Sequence, residues 1–568
     1  MVDLECLPYA VGNEGEGICV LVRMGPYRIL LDCGLEDISP LVADIERGLS
    51  LDLILCSHAH PDHAQGLLAL HQACPQVPIY ASEATIQLLP LNWSEVPSTE
   101  LPGCHALPWR SPVEFRDGLS AELWPAGHLP GAAAFLLTYT PPASPEASPP
   151  RSFTLFYTGD FFLSNSRLVE GMPLEALRGL KPDVLIIEGT YGTARHPRRR
   201  QQENQLAERI SQALTERQSV LLPAPAIGLA QELLMLLRSH HHFTGRDVDI
   251  WVDGAVATAC DTYLDLLPHF PSNVQNFAQH QPLFWDERVR PKVRRLPPGN
   301  SLSQNPENSV SAIVLTDDQT ELSFYCSTDD HWLLLLPQRH IPTVHQEKLA
   351  RLEEKLQEKA SVDPDFTTTV DVETYLLADH CDGAGTTQFI HNLRPQHVVL
   401  IHGSPTYLMD LAGLEELQSR YHLHTPSAGT IVELPVGETF LHSPLTTGSY
   451  EGELTESATS VTITLPDTIM ADPRWQKFAD TGLVEIRWQG EELVLRGLSQ
   501  WEILNPTTDR SSLWSEGIGP SKAHCGTCAY YRSQRCWNEA SPLAGFKVPP
   551  EGFCPAFKAR NKGDLSSI

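Results

Sequence analysis

Three histidines and one aspartate fall within six consecutive positions, His58-Ala59-His60-Pro61-Asp62-His63. The apolar run Leu51-Asp52-Leu53-Ile54-Leu55 before them reads as a buried strand. His58 and His60 are two apart, so extended backbone projects them to the same side. Asp62 and His63 fall where Pro61 starts a turn into the helical-looking stretch Ala64 to Leu70, so they point a second way. That arrangement suits two adjacent metal ions better than one. Imidazole favours zinc and its neighbours, and the carboxylate adds a hard, charged ligand. The competing reading is a polar strand-to-helix turn with incidental histidines, and matching groups downstream weigh against it.

The elements around this stretch offer further ligands at strand ends. Gly17 to Val22 and Tyr27 to Leu31 flank the hairpin-like turn Met24-Gly25-Pro26, and the second strand runs into Asp32-Cys33-Gly34. Asp32 there is placed to orient a metal-bound histidine from behind. Trp124-Pro125-Ala126-Gly127-His128 follows another strand, which makes His128 the candidate third imidazole on the first metal. After a proline-rich surface loop over 141–150, the strand from Ser152 to Tyr157 leads to Asp160, a carboxylate suited to bridging two metals.

At 568 residues the chain is long enough for several domains, and its composition, 42% hydrophobic and 20% charged, is that of a globular protein. No apolar stretch is long enough to span a membrane, and Met1 to Glu5 lacks the basic start and apolar core of a secretory signal, so a cytoplasmic location without a membrane partner is expected. A net charge of −29 counts against a general nucleic-acid coat, though not against an enzyme with a local basic channel.

The order Asp32, His58-x-His60-x-Asp62-His63, His128, Asp160 resembles the metallo-β-lactamase superfamily. Glu188-Gly189-Thr190-Tyr191-Gly192 resembles the next marker of its β-CASP branch, which includes J-type ribonucleases and the endonuclease of mRNA 3′-end processing. Ala378-Asp379-His380-Cys381-Asp382 and the strand with His402-Gly403 resemble the later markers. The chain departs from the pattern at Leu229, where arginine is usual, at Ser404, where glutamate is usual, and between about 300 and 340, where no glycine-rich segment appears.

The resemblance implies an α/β fold, a metallo-β-lactamase αββα sandwich carrying an inserted α/β β-CASP domain; short alternating runs and a cysteine cluster beyond about 440 add small C-terminal modules. The expected boundaries are 1–195 for the first half of the sandwich, 196–370 for the insertion and 371–442 for the second half. A small α/β module over 450–512 and a cysteine module over 513–568 follow. Strands alternating with helices after Val220 point to a largely parallel sheet in the insertion.

The expected activity is that of a di-metal hydrolase using a metal-bridging hydroxide. His58, His60 and His128 hold one zinc; Asp62, His63 and His402 hold the other; Asp160 bridges. By resemblance, His380 donates a proton to the leaving oxygen and Glu188 orients it. The leading substrate is single-stranded RNA, and Arg198, Arg199 and Arg200, just beyond the Glu188 motif, are the candidates for steering its phosphates. The alternatives are hydrolysis of a non-nucleic ester, thioester or lactam, and a non-catalytic RNA-processing scaffold. A homo-oligomer is compatible with the sequence.

Of the 13 cysteines, Cys525, Cys528, Cys536 and Cys554 cluster near the C-terminus. Four thiolates in so small and aromatic a segment suggest one zinc ion or an iron–sulfur cluster, since the segment has little core of its own.

Overall fold

The structure is a computed structural model. It describes residues 4–436 apart from 14–15, 94–102, 143–150, 298–310, 327–330, 339–341 and 363–367. Beyond those it describes only 453–457, 460–464, 484–489, 492–497, 528–532, 535–536, 538 and 558.

Two seven-stranded sheets form the main body. In the first, Val432–Glu433, Leu4–Val11, Ile18–Met24, Tyr27–Leu31, Leu53–Leu55, Ile79–Ala81 and Cys104–Ala106 lie side by side in that order. In the second the order is His422–His424, His397–Ile401, Val184–Glu188, Phe153–Tyr157, Ala133–Tyr139, Leu119–Pro125 and Val113–Arg116. Because strand side chains alternate, each sheet feeds two cores. Leu31, Leu55, Phe135, Tyr157, Ile186 and Val399 belong to the core between the sheets. Their neighbours Leu30, Ile54, Phe156, Leu185, Leu400 and Val398 join helical residues such as Leu67, Leu70, Phe389 and Ile390 in the other. Burial on both faces explains why these strands are short and almost uniformly apolar. The result is the αββα sandwich.

A third sheet, six-stranded, is formed wholly between Ser219 and Tyr375. Its order is Lys292–Arg295, Asp249–Val252, Ile313–Asp317, Ser219–Ala224, His331–Pro337 and Thr369–Tyr375, and every pairing is parallel. The chain then returns to the second sheet: Val184–Glu188 pairs in parallel with His397–Ile401. That pairing puts strand ends more than 200 residues apart in sequence at one edge of the sandwich, as Glu188 opposite Ile401 shows.

Residues 1–438 form one compact unit and 439–568 another. In the second, Glu453–Ser457 pairs with Ser460–Thr464 and Val484–Gln489 with Glu492–Gly497, both antiparallel. Residues 465–483 of the expected small module lie outside the described residues, as do Cys525 and Cys554. Cys528 and Cys536 are described and buried. Among the described residues, no helix is long and apolar enough to cross a membrane.

Candidate active site

The site lies where strands of both sheets end. Asp32 follows Tyr27–Leu31, the histidine cluster follows Leu53–Leu55, and His128 follows Leu119–Pro125. Asp160 follows Phe153–Tyr157, and His402 follows His397–Ile401. His60 caps the short helix Pro61–Ala64 from an extended conformation, so the chain coils immediately after it. This turns Asp62 and His63 away from the side that His58 and His60 face.

Two sets of ligand atoms converge, each within 4.8 Å: His58, His60, His128 and Asp160 in one, Asp62, His63 and His402 in the other. His60 enters with Nδ1, 3.2 Å from His58 Nε2 and 3.1 Å from His128 Nε2. Asp160 stands between the sets. Its Oδ2 lies 3.5 Å from His58 Nε2 and 3.8 Å from His128 Nε2, and its Oδ1 lies 3.3 Å from His63 Nε2 and 3.7 Å from His402 Nε2. His402 Nε2 is also 3.4 Å from Asp62 Oδ2.

The remaining ring nitrogens are held from behind, which fixes each tautomer. His63 Nδ1 donates to Asp32 Oδ2 at 2.8 Å, His128 Nδ1 to the Asp379 carbonyl at 3.0 Å, and His60 Nε2 to the Ile227 carbonyl at 3.1 Å. His402 Nδ1 meets Thr190 Oγ1 at 2.8 Å, and that hydroxyl in turn donates to Glu188. Asp32 is fully buried and also accepts from Ser57 N, Ser57 Oγ and Tyr157 OH at 2.6, 2.7 and 2.5 Å.

The electrostatics divide the two sets. Burial, then the neighbouring imidazoles, hold His58 far below its usual pKa and bring His60 down to about 4. Burial, then His380, lowers His128. All three are therefore neutral imidazoles with lone pairs directed at one point. Burial also works against charge on His63 and His402, but the carboxylates around them outweigh it and raise both. Burial would raise Asp160; His402, His63 and His380 reverse that and hold it ionised. The residues fit a pair of metal ions. His63 Nε2 and Asp160 Oδ1 are buried without a hydrogen-bond partner, a costly state that a cation between them relieves.

His380 lies beside this centre with Nδ1 2.8 Å from Glu188 Oε2. Burial lowers its pKa, but Glu188, Asp379 and Asp160 prevail and bring it up to about 10. Glu188 is itself anchored, its Oε1 accepting from Phe161 N at 2.6 Å. A cleft of about 1350 Å³ opens onto His60, Asp62, Asp160, His380 and His402, with Ala226, Ile227, Ala255 and Asp317 from the parallel-sheet region on its far wall.

The expected arginine cluster needs correction at Arg199. Its guanidinium turns inward, onto the Ala378 carbonyl and Glu232 Oε2 at 3.2 Å, so it ties elements together and is not available to a phosphate. Arg198 and Arg200 are exposed, and none of the three lines the cleft. Sequence reasoning missed Ser57, Tyr157, Thr190 and the carbonyls of Ile227 and Asp379. Only Thr190 carried a signal, since it lies inside the Glu188 motif.

The beta-lactamase superfamily domain model matches residues 27–222, and the Zn-dependent metallo-hydrolase RNA specificity domain model matches 370–426. An uncharacterized protein, sll0514, from a Synechocystis strain is 46% identical over 98% of this chain and 97% of its own. Ribonuclease TTHA0252 from Thermus thermophilus is 29% identical over 48% of this chain, and cleavage and polyadenylation specificity factor subunit 3 from Dictyostelium discoideum 23% over 70%. The chain spans 63% and 53% of those two proteins. With the sandwich and the His/Asp centre, these matches define the class: the chain belongs to the metallo-β-lactamase superfamily, in its β-CASP branch. It is a metal-dependent hydrolase.

Proposed function

We propose that this protein is a ribonuclease that hydrolyses phosphodiester bonds in single-stranded RNA at a two-zinc centre. The observation that carries the reading is the Glu188–His380 pair beside the two ligand sets. Expelling an alkoxide from a phosphodiester calls for a proton donor at that place. The RNA-specificity description of the model over 370–426 and the names of the two relatives support RNA as the substrate.

In this reading His58, His60 and His128 would hold one zinc, Asp62, His63 and His402 would hold the other, and Asp160, which stands between the sets, would serve both. When bound, the ions act as Lewis acids on the phosphoryl group and bring the pKa of water toward neutrality. Glu188 engages Nδ1 of His380, so His380 delivers its proton from Nε2. Asp32 and Thr190 keep the second set aligned from behind. In this reading an insertion with its own sheet, which ends at Tyr375, separates the two halves of the hydrolase domain, and the second half supplies His380 and His402.

The test is cleavage of labelled single-stranded RNA by the zinc-loaded protein. Wild type is expected to cut. His380→Ala should be slower by about 10²–10⁴-fold at unchanged metal content. Failure of wild type on RNAs of varied sequence and with varied metals overturns the reading. One observation favours a second reading, hydrolysis of an uncharged ester, thioester or lactam. Among the described residues the cleft carries Glu16, Glu83, Asp265, Asp317 and Asp318 against a single lysine, Lys348. Turnover of such esters with no RNA cleavage would select it.

A further inference from the structure

Away from the hydrolase centre, the helix Leu229–Ser239 ends in three consecutive histidines, His240, His241 and His242. The chain does not continue as helix beyond Ser239, and the three rings gather against one another. Ring centroids are 4.3 Å apart for His240–His241 and for His241–His242, and 5.1 Å for His240–His242. One nitrogen from each ring lies within 4.8 Å of the other two. We infer that His240, His241 and His242 form a separate binding site for a borderline transition-metal ion of the Zn²⁺, Ni²⁺ or Cu²⁺ class.

Three features of the chemistry support this site. Three imidazoles with no carboxylate in the ligand set match the nitrogen preference of these ions and disfavour Mg²⁺ or Ca²⁺. His240 is buried, and its Nε2 lies 3.1 Å from Asn204 Oδ1. An amide oxygen only accepts, so the proton sits on Nε2 and Nδ1 carries the lone pair, which meets the His242 amide at 3.4 Å, a long contact that a metal would displace. Finally, the triad sits at the C-terminal end of an 11-residue helix, where the unpaired carbonyls favour positive charge. The nearest fixed cation, Arg167, is engaged elsewhere, with Nη2 on Glu203 at 2.6 Å and Nη1 on Ser239 Oγ at 2.7 Å. His241 is exposed and His242 half-buried, so both rings have room to turn onto an ion that His240 anchors.

The site is independent of the hydrolase centre, so its test does not depend on the substrate. Full-length protein is equilibrated with Ni²⁺, Cu²⁺ or Zn²⁺ and compared with a His241→Ala, His242→Ala double variant, whose changed positions are outside the core. Wild type should retain about one equivalent more metal than the double variant, as a single closed site requires. The wild-type minus variant Cu²⁺ spectrum should show nitrogen hyperfine structure in electron paramagnetic resonance. Asn204→Leu, which frees the anchoring ring, should weaken the extra binding by about 10–100-fold. Hydrolysis should be equal in all three proteins. Equal metal content in wild type and double variant, or a difference spectrum without nitrogen coupling, overturns the proposal.

Discussion

His402 is fixed by groups that are themselves not ligands. Its amide donates to the Val11 carbonyl at 2.7 Å, which stitches the second sheet to the first, and its φ of 52° turns the ring back over the site. Gly12 allows this approach, because a Cβ there would lie 3.0 Å from His402 Cα. Thr190 then sets the ring's rotation while bridging to Glu188, the partner of His380. Thr190→Val keeps the shape and removes the hydroxyl, so it should weaken binding of the second metal by about 10–100-fold and slow hydrolysis. Thr190→Ser should restore both; metal titration against a competing chelator reads the first effect. Asp32→Ala is a harsher change. It strips one buried carboxylate from four donors, Ser57 N, Ser57 Oγ, Tyr157 OH and His63 Nδ1. The expected loss is about 3–5 kcal/mol in urea denaturation, with metal content reduced. At this scale the sequence reveals side chains whose spacing is local, such as His58 to His63. It does not reveal that a carbonyl, Ile227 or Asp379, faces a histidine far away in the chain. Nor does it reveal that Arg199 turns in toward Glu232 while Arg198 and Arg200 turn out, since tertiary partners decide the direction of a long side chain.

The helix Leu229–Ser239 shows what one element contributes to the site. Its buried face is nearly continuous, and Glu232 bolts it down by accepting from Ser166 Oγ, Arg167 N and Leu168 N at 2.8, 2.9 and 2.8 Å. Those residues follow Asp160 on the sandwich, so the helix is held to the strand end that carries the shared carboxylate. The residue before the helix, Gly228, has φ of 90° and ψ of −89°, a conformation open to glycine alone, and it carries the chain from the Ile227 carbonyl on His60 into the first turn. A Cβ there would sit 3.4 Å from His60 Nε2. Gly228→Ala should therefore cost at least about 1–2 kcal/mol in backbone strain and displace the carbonyl from His60. Weaker retention of the first metal with unchanged helix content by circular dichroism is the expected result. Among elements, the hairpin around Gly25 and the parallel sheet after Val220 were legible, because turn residues and alternating apolar runs are local signals. The helix expected over Ala64 to Leu70 is instead two helices, Pro61–Ala64 and Leu67–Ala73. Gly66 marks the break: it approaches Cys33 so closely that an added Cβ would lie 2.7 Å from the Leu35 carbonyl, and no pattern within the helix announces that neighbour.

Over the whole molecule, the proposed ligands run from His58 to His402, and all lie in the unit 1–438. The centre is thus a long-range closure: two metal ions would join the first sheet, the second sheet and the chain returning from the inserted parallel sheet. Without ions, the buried carboxylate of Asp160 and the rings around it are balanced only by protons. The unfolded chain presents no such converging set, so metal binding should add directly to folding stability. At a free metal concentration of 100 Kd each site contributes about 2.7 kcal/mol. Chelation should accordingly lower the thermal midpoint, and added zinc should restore it. The three cores, built from Leu31, Phe135 and Ile186 between the sheets, Leu30 and Phe156 outside them, and Val314 and Leu334 in the parallel sheet, do not depend on the ions. The stripped protein should therefore keep its secondary structure at room temperature. In an Asp62→Ala, His63→Ala variant, chelation should move the midpoint by less, because only the first of the centre's two ligand sets remains to respond. An equal shift in variant and wild type would place the stabilising metal elsewhere and remove the second set from the proposed centre.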